Sequence, residues 1–211
     1  DTRIAGGNIV RAASTSFSAT VIGNTSTGDK LLRRDTARPG DAVAVSGTPS
    51  ASAAGLPSIE TARSYEPQAA PLIAAHRRPQ ARLALGHAAV AAGLRCAIDI
   101  SDGLAQDLEH VAKASKVGIE INIGKLPIHP AAATLLGNDR ALGLALGGGE
   151  DYELALCGPT DSLDTLGTTK HSVLPLTRIG QVVAEHPGEV LILESSGQPM
   201  KIETRGWDQL H

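Results

Sequence analysis

Aromatic side chains are almost missing from this chain of 211 residues: one Trp, one Phe and two Tyr, 2% in all. Its apolar fraction of 42% is enough for a core. That core must be filled by Ala, Leu, Ile and Val, with glycines allowing backbones to approach. Cysteine is as scarce: Cys96 and Cys157 alone, both in apolar, strand-like surroundings. Two such residues read as reduced, buried thiols and predict a cytoplasmic protein. The histidines lie far apart and show no zinc-ligand spacing. Neither charge sign dominates, and a net charge of −3 gives no reason to expect nucleic acid or an anionic membrane as partner. No apolar run reaches the roughly 18 residues needed to span a bilayer, and no signal peptide opens the chain. No Gly-x-x-x-x-Gly-Lys-Ser/Thr occurs, which excludes a P-loop kinase. Internal repeats and low-complexity segments are absent as well. The length suits one large domain, or one domain with part of another.

Chemistry is concentrated at Ala97-Ile98-Asp99-Ile100-Ser101-Asp102-Gly103-Leu104. Ile98 and Ile100 alternate with Asp99 as in a half-buried strand, and Ser101-Asp102-Gly103 breaks it. Leu104, Leu108 and Val111 then share one helix face. The pattern predicts strand, tight loop, helix, with two carboxylates and a hydroxyl at the junction. Unpaired N–H groups at a helix N-terminus attract phosphate, and carboxylates there make sense if divalent cations, usually Mg²⁺, stand between. Ser101 or Asp102 is equally suited simply to cap the helix. Both readings stand on the local pattern. A second unusual stretch is Gly147-Gly148-Gly149-Glu150-Asp151-Tyr152, where three glycines clear space before an acidic pair; ordinary loops also carry such runs.

Around these, Gly6-Gly7-Asn8 reads as a loop that lets backbone approach a ligand, or as a turn. Phe17, Ala19 and Val21 alternate with polar residues, which predicts a strand. Asn24–Asp29 reads as a polar loop. Arg34 suits a phosphate or a surface carboxylate. A turn at Arg38-Pro39-Gly40-Asp41 precedes a short strand holding Val43 and Val45. From Ala51 to Gln80 a short Ala-rich helix and then a loop with Tyr65, Pro67 and Pro71 are expected. A helix is expected over Ala81–Leu94, with Leu83, His87, Val90 and Leu94 near one face. Val117–Ile123 alternates as a strand, and helical pieces follow near Ala131–Leu136 and Arg140–Ala145. Tyr152–Cys157 reads as a buried strand. A strand around Leu174–Val183 and a hairpin of Val190–Leu193 with Pro199–Ile202 close the pattern. His87 reads as a packed or half-exposed residue, since no partner lies at i±4.

Gly6-Gly7-Asn8, Leu32–Asp41, Ile98–Leu104, Gly148-Gly149-Glu150-Asp151-Tyr152-Glu153-Leu154 and Gly206-Trp207-Asp208 occur in an order that resembles the thiamine-monophosphate kinases, within the aminoimidazole ribonucleotide synthetase-like superfamily. The resemblance implies an α/β fold, a mixed sheet with flanking helices. Residues 1–48 would be the end of an N-terminal ATP-binding and dimerisation domain, and residues 49–211 the C-terminal α/β domain. The family's Asp-rich N-terminal stretch would precede Asp1, and the start at Asp1 without Met reads as a chain entered partway. The resemblance further implies that Asp99 and Asp102 hold Mg²⁺ and that Ser101 and the Gly7-Asn8 backbone contact ATP. Asn8, where many relatives have Asp, would be a weaker metal donor. Arg34 would reach the ATP phosphates, making Asp102 and Arg34 the catalytic pair. Glu150 and Trp207 would contact thiamine phosphate, a carboxylate for the aminopyrimidine and a ring to stack on a flat cation.

The implied reaction is ATP- and Mg²⁺-dependent phosphorylation of thiamine phosphate by a homodimeric cytoplasmic enzyme. A phosphate monoester is already largely ionised at pH 7, its second pKa being about 6, so no general base is required. The obstacle is repulsion between two anions, which cations and Arg34 would offset. The alternatives are another ATP-using synthetase of the superfamily, or a domain that binds a ligand or partner without catalysis.

Overall fold

A computed structural model describes residues 3–23, 31–61, 66–168, 175–202 and 205–207. The expected loop Asn24–Asp29, and Tyr65, Leu174 and Asp208, lie outside them. β1 (Ala42–Ser46) is followed by α1 (Ala51–Glu60), α2 (Ala69–Arg77), α3 (Leu83–Ala91) and β2 (Cys96–Asp99). Next come α4 (Leu104–Ser115), β3 (Gly118–Asn122), α5 (Pro130–Leu136), α6 (Asn138–Gly147), β4 (Leu154–Gly158), α7 (Thr160–Thr168), β5 (Leu176–Val183), β6 (Val190–Leu193) and β7 (Pro199–Met200). The strands form one seven-stranded sheet in the order β2-β4-β1-β5-β3-β6-β7. Among the pairs of these described strands, β3–β6 alone is parallel. The fold is thus α/β with a mixed sheet.

Residues of β1 alternate between the two faces, and both faces are covered. Val43 and Val45 enter the main core with Leu104, Leu108 and Val111 of α4 and Ile119, Ile121, Ile179 and Val182 of β3 and β5. Ala42 and Ala44 enter a second core with Leu85 and Ala89 of α3, Leu156 of β4, and Leu163 and Leu166 of α7. A third cluster, around Ala54, Leu72, Ala132 and Ala141, ties α1, α2, α5 and α6 together. The helix face predicted from Leu104, Leu108 and Val111 is fully buried. Truncating any of the three to Ala or smaller removes packed methyl groups at about 2–5 kcal/mol for a leucine.

Several expectations need correction. Phe17, Ala19 and Val21 form no strand: residues 3–23 have no regular structure and are exposed throughout. Alternation gives a strand only when a neighbouring strand takes its N–H and C=O groups, and these residues pair with none of the described strands. β1 is hydrogen-bonded to β4 on one side and β5 on the other. The stretch read as a loop after α1 contains α2, whose Leu72 carbonyl lies 2.3 Å from where a Cβ on Gly55 would stand. On α3 it is Leu85 and Ala89 that enter the core, whereas Leu83 is 72% exposed and His87 is exposed.

Candidate functional site

β2 and α4 meet as the sequence predicts, but the turn between them is held by a residue the pattern did not reveal. Asp107, in the first turn of α4, is buried, and its Oδ2 accepts the N–H groups of Ser101 at 3.0 Å, Asp102 at 3.1 Å and Gly103 at 3.1 Å. Those three loop donors are therefore not free to cradle a phosphate. Burial pushes the Asp107 carboxyl above its ordinary pKa, against the pull of its backbone donors. Gly103 is the N-cap residue, and no side chain caps the helix. Ser101 and Asp102 are thus not used as caps, and their side chains make no hydrogen bond among the described residues. The one signal in the sequence was an Asp four residues past Gly103, close enough along the helix to fold back.

The carbonyls of the same turn hold two other segments. Ile100 accepts from Tyr152 N and Ser101 from Glu150 N, each at 2.8 Å, and Asp102 accepts from Trp207 N at 2.8 Å. Gln106 Nε2 adds a bond to the Trp207 carbonyl at 3.0 Å. Gly103, at φ 135°, leaves room for this convergence: a Cβ there would lie 3.0 Å from Gly147 and from Gly206 Cα. The structure so brings Asp99, Ser101, Asp102, Glu150 and Trp207 to one place. Trp207 is 68% exposed beside it.

Glu150 to Glu153 alternate in direction. Asp151 and Glu153 are buried, Glu150 is exposed and Tyr152 is half-buried. Asp151 accepts from Ser50 N at 2.9 Å and Ser52 N at 3.0 Å, gripping the start of α1, and burial pushes its pKa up to about 6. Glu153 receives Arg82 at 2.8 and 2.5 Å and the Ser46 hydroxyl at 2.5 Å. These inward anchors turn the alternate residues outward. Glu150 and Tyr152 have φ of 65° and 52°, a strained setting for side chains that bear on a site. The Tyr152 hydroxyl donates to Glu150 Oε2 at 3.2 Å. Partial burial first, then Glu150, and behind it Asp99 and Asp102, raise the phenol's pKa.

Arg34 and Asp99 line one cavity of about 1140 Å³, with Tyr152, Arg82 and His87. Arg33, not Arg34, pairs with the nearby carboxylate, Asp35. The Arg34 side chain makes no ion pair among the described residues. Gly7 and Asn8 are not brought to this place; both are exposed, and nothing lies within 4 Å of a Cβ built on Gly7. Atoms of Asp102, Asp107 and His110 that are able to bind a metal all lie within 4.8 Å of one another. The site therefore presents several oxygen donors of one charge sign around a glycine-lined junction, with a free guanidinium across the cavity. That is an arrangement for hard cations and anionic ligands.

This mixed sheet and its acidic junction lie largely within residues 38–192, which match the model of the AIR synthase related protein, C-terminal domain; the chain belongs to that family. Within it the chain is similar to the thiamine-monophosphate kinase of Escherichia coli K12, 37% identical over 182 residues, 85% of this chain and 55% of that protein. The kinase of Aquifex aeolicus is 34% identical over 208 residues, covering 97% of this chain and 62% of that one. Among solved structures, the thiamine-monophosphate kinase of Stenotrophomonas maltophilia K279a superposes with a TM-score of 0.73 at 35% identity, over 81% of this chain and 54% of that one. AaThiL complexed with AMPPCP and TMP gives 0.71 at 35%, over 84% and 54%. Escherichia coli HypE, at 20% identity and a TM-score of 0.64, shares the fold. The chain spans about half the length of the curated relatives it matches. No helix among the described residues is long and apolar enough to cross a membrane.

Proposed function

We propose that the protein to which this chain belongs transfers the γ-phosphoryl group of ATP to thiamine phosphate, and that this chain supplies the thiamine side of the site and part of the metal side. The observation that carries the reading is the convergence of Ser101, Asp102, Glu150 and Trp207 on one turn that directly follows Asp99 at the end of β2, in a chain whose relatives are thiamine-monophosphate kinases. A relative solved with AMPPCP and TMP supports both substrates.

Mg²⁺ suits the donors present. Asp99 and Asp102 are carboxylates that make no ion pair among the described residues, beside the half-buried Ser101 hydroxyl, an all-oxygen set. Asp99 and Asp102 would hold it, and it would supply charge neutralisation between two anionic phosphates. Arg34 binds phosphate oxygens from across the cavity, and its guanidinium stabilises the charge that spreads over the transferring group. Glu150 accepts a hydrogen bond from an aminopyrimidine, held outward by its anchored neighbours. Trp207 offers an exposed indole face for a flat cation. Ser101 donates to ATP. No group has to take a proton from a phosphate acceptor already ionised near pH 7.

Residues 3–23, with Ile4, Ile9, Phe17 and Ile22 more than 90% exposed, fit the end of an N-terminal domain that dimerises and completes the metal site, where Gly7 and Asn8 would meet ATP. Free Cys96 and Cys157 fit a cytoplasmic setting. The test is an ADP-release assay on the full natural chain with thiamine phosphate, aminoimidazole precursors or selenide as acceptor. Turnover with thiamine phosphate is expected, and Asp102→Asn should reduce it by about a hundredfold, the cost of one lost electrostatic partner. Its thermal midpoint should be kept, since the Asp102 side chain caps nothing. Turnover with another acceptor and none with thiamine phosphate refutes the proposal.

A further inference from the structure

The geometry points to Asp107 as a positioning residue that sets the metal side and the substrate side of the site together; this rests on the function proposed above. One carboxylate oxygen gathers three successive N–H groups, those of Ser101, Asp102 and Gly103. With the N–H groups drawn to the helix, the peptide carbonyls of Ile100, Ser101 and Asp102 are free for other donors, and each takes one: Tyr152, Glu150 and Trp207. A single run of backbone thus carries the metal-side carboxylate of Asp102 as a side chain and the thiamine-side segments on its carbonyls. Rotating any of these peptide units moves both. Asp107 is 2% exposed and held inside the helix packing, so it is the rigid end of this frame. It touches no substrate; it acts through Asp102, Glu150 and Trp207.

The test compares wild type with Asp107→Ala, Asp107→Asn and Asp107→Glu in the full natural chain, measuring Mg²⁺ half-saturation and the thiamine phosphate KM separately. Outer-shell partners typically matter by 10–100-fold, so Ala should raise both constants by about tenfold or more. Asn keeps an oxygen acceptor and should stay within about threefold, while Glu, whose carboxylate is displaced by a methylene, should raise both by about tenfold. Trp207 is the only tryptophan of these 211 residues, and its emission, read as the difference from a Trp207→Phe control, should shift in the Ala variant. An Asp107 that merely supports the fold would lower the thermal midpoint and leave both constants within about twofold, and that result overturns the inference. So does a rise in one constant without the other. Where Ala does not fold, Glu matching wild type overturns it. Wild type with no turnover of thiamine phosphate instead refutes the proposed function. The Asp107 inference is then read from Mn²⁺ binding by electron spin resonance and from Trp207 emission, and fails unless both change in the Ala variant.

Discussion

Removing Arg82 should be among the most damaging single changes to this domain outside its apolar core. Arg82 Nε and Nη2 donate to the two oxygens of Glu153 at 2.8 and 2.5 Å, where the side chains are 19% and 7% exposed. In Arg82→Met the Glu153 carboxylate keeps the Ser46 hydroxyl and loses both charged donors. On one side no water can replace them, because a Cβ on Gly47 would already sit against Glu153 Oε1. Breaking a buried pair by deleting one partner costs about 3–5 kcal/mol, because an uncompensated charge stays behind. Set against a total stability of roughly 5–15 kcal/mol, that is a large share, and a fall in thermal midpoint of about 10 °C follows for a chain of this size. Adding Glu153→Gln removes the stranded charge and should recover about half of the loss. Urea unfolding of the wild type, both single variants and the double variant measures each step. An Arg82→Met cost of under about 1 kcal/mol, as for an exposed pair, refutes the reasoning, since the carboxylate would then be hydrated.

The buried Asp151 should make stability fall as pH rises. Its folded pKa of about 6 exceeds the unfolded value of about 3.9, so the native state binds the proton more tightly. The cost of its charge is absent below about pH 4, grows through the interval and reaches at most about 3 kcal/mol above pH 6. A thermal midpoint that, relative to Asp151→Asn, falls in wild type between about pH 4 and 6 is expected; two profiles that run parallel contradict it. Gly103→Ala, at φ 135° and 3.0 Å from Gly147 and Gly206, should destabilise by about 2–3 kcal/mol in urea unfolding, and a cost near zero would mean the three segments are not in close contact.

What the sequence made legible was local. The strand, turn and helix around Ser101-Asp102-Gly103 follow from the change of period between Ile98 and Leu108, and β3, β4, β6 and the later helices follow from the same logic. Two kinds of feature escaped. Phe17 to Val21 carries the pattern of a strand without the partner that makes one. Asp107 carries the pattern of an exposed helical residue, since only a turn folding back over it makes its carboxylate a hub. The same holds for Glu153 and Arg82, which lie far apart in sequence and meet in the fold. Side chains able to do chemistry were identifiable by type; the groups that aim them were not, because their partners are backbone atoms that any sequence possesses, as for Asp107, or side chains remote along the chain, as for Glu153.

β1 has a consequence for how the molecule is made. Of the seven described strands it is the first to leave the ribosome, yet its neighbours, β4 and β5, come from the last third of these 211 residues. Neither strand that flanks its Ala-Val-Ala-Val run in the fold has been made by then, and closing such distant contacts costs chain entropy before they are rewarded. The centre of the sheet is therefore assembled late, after the helices of the first half can already have formed. Until then an apolar strand with both edges open is available to any other chain that offers one, so crowded synthesis at elevated temperature is the condition under which this protein should aggregate.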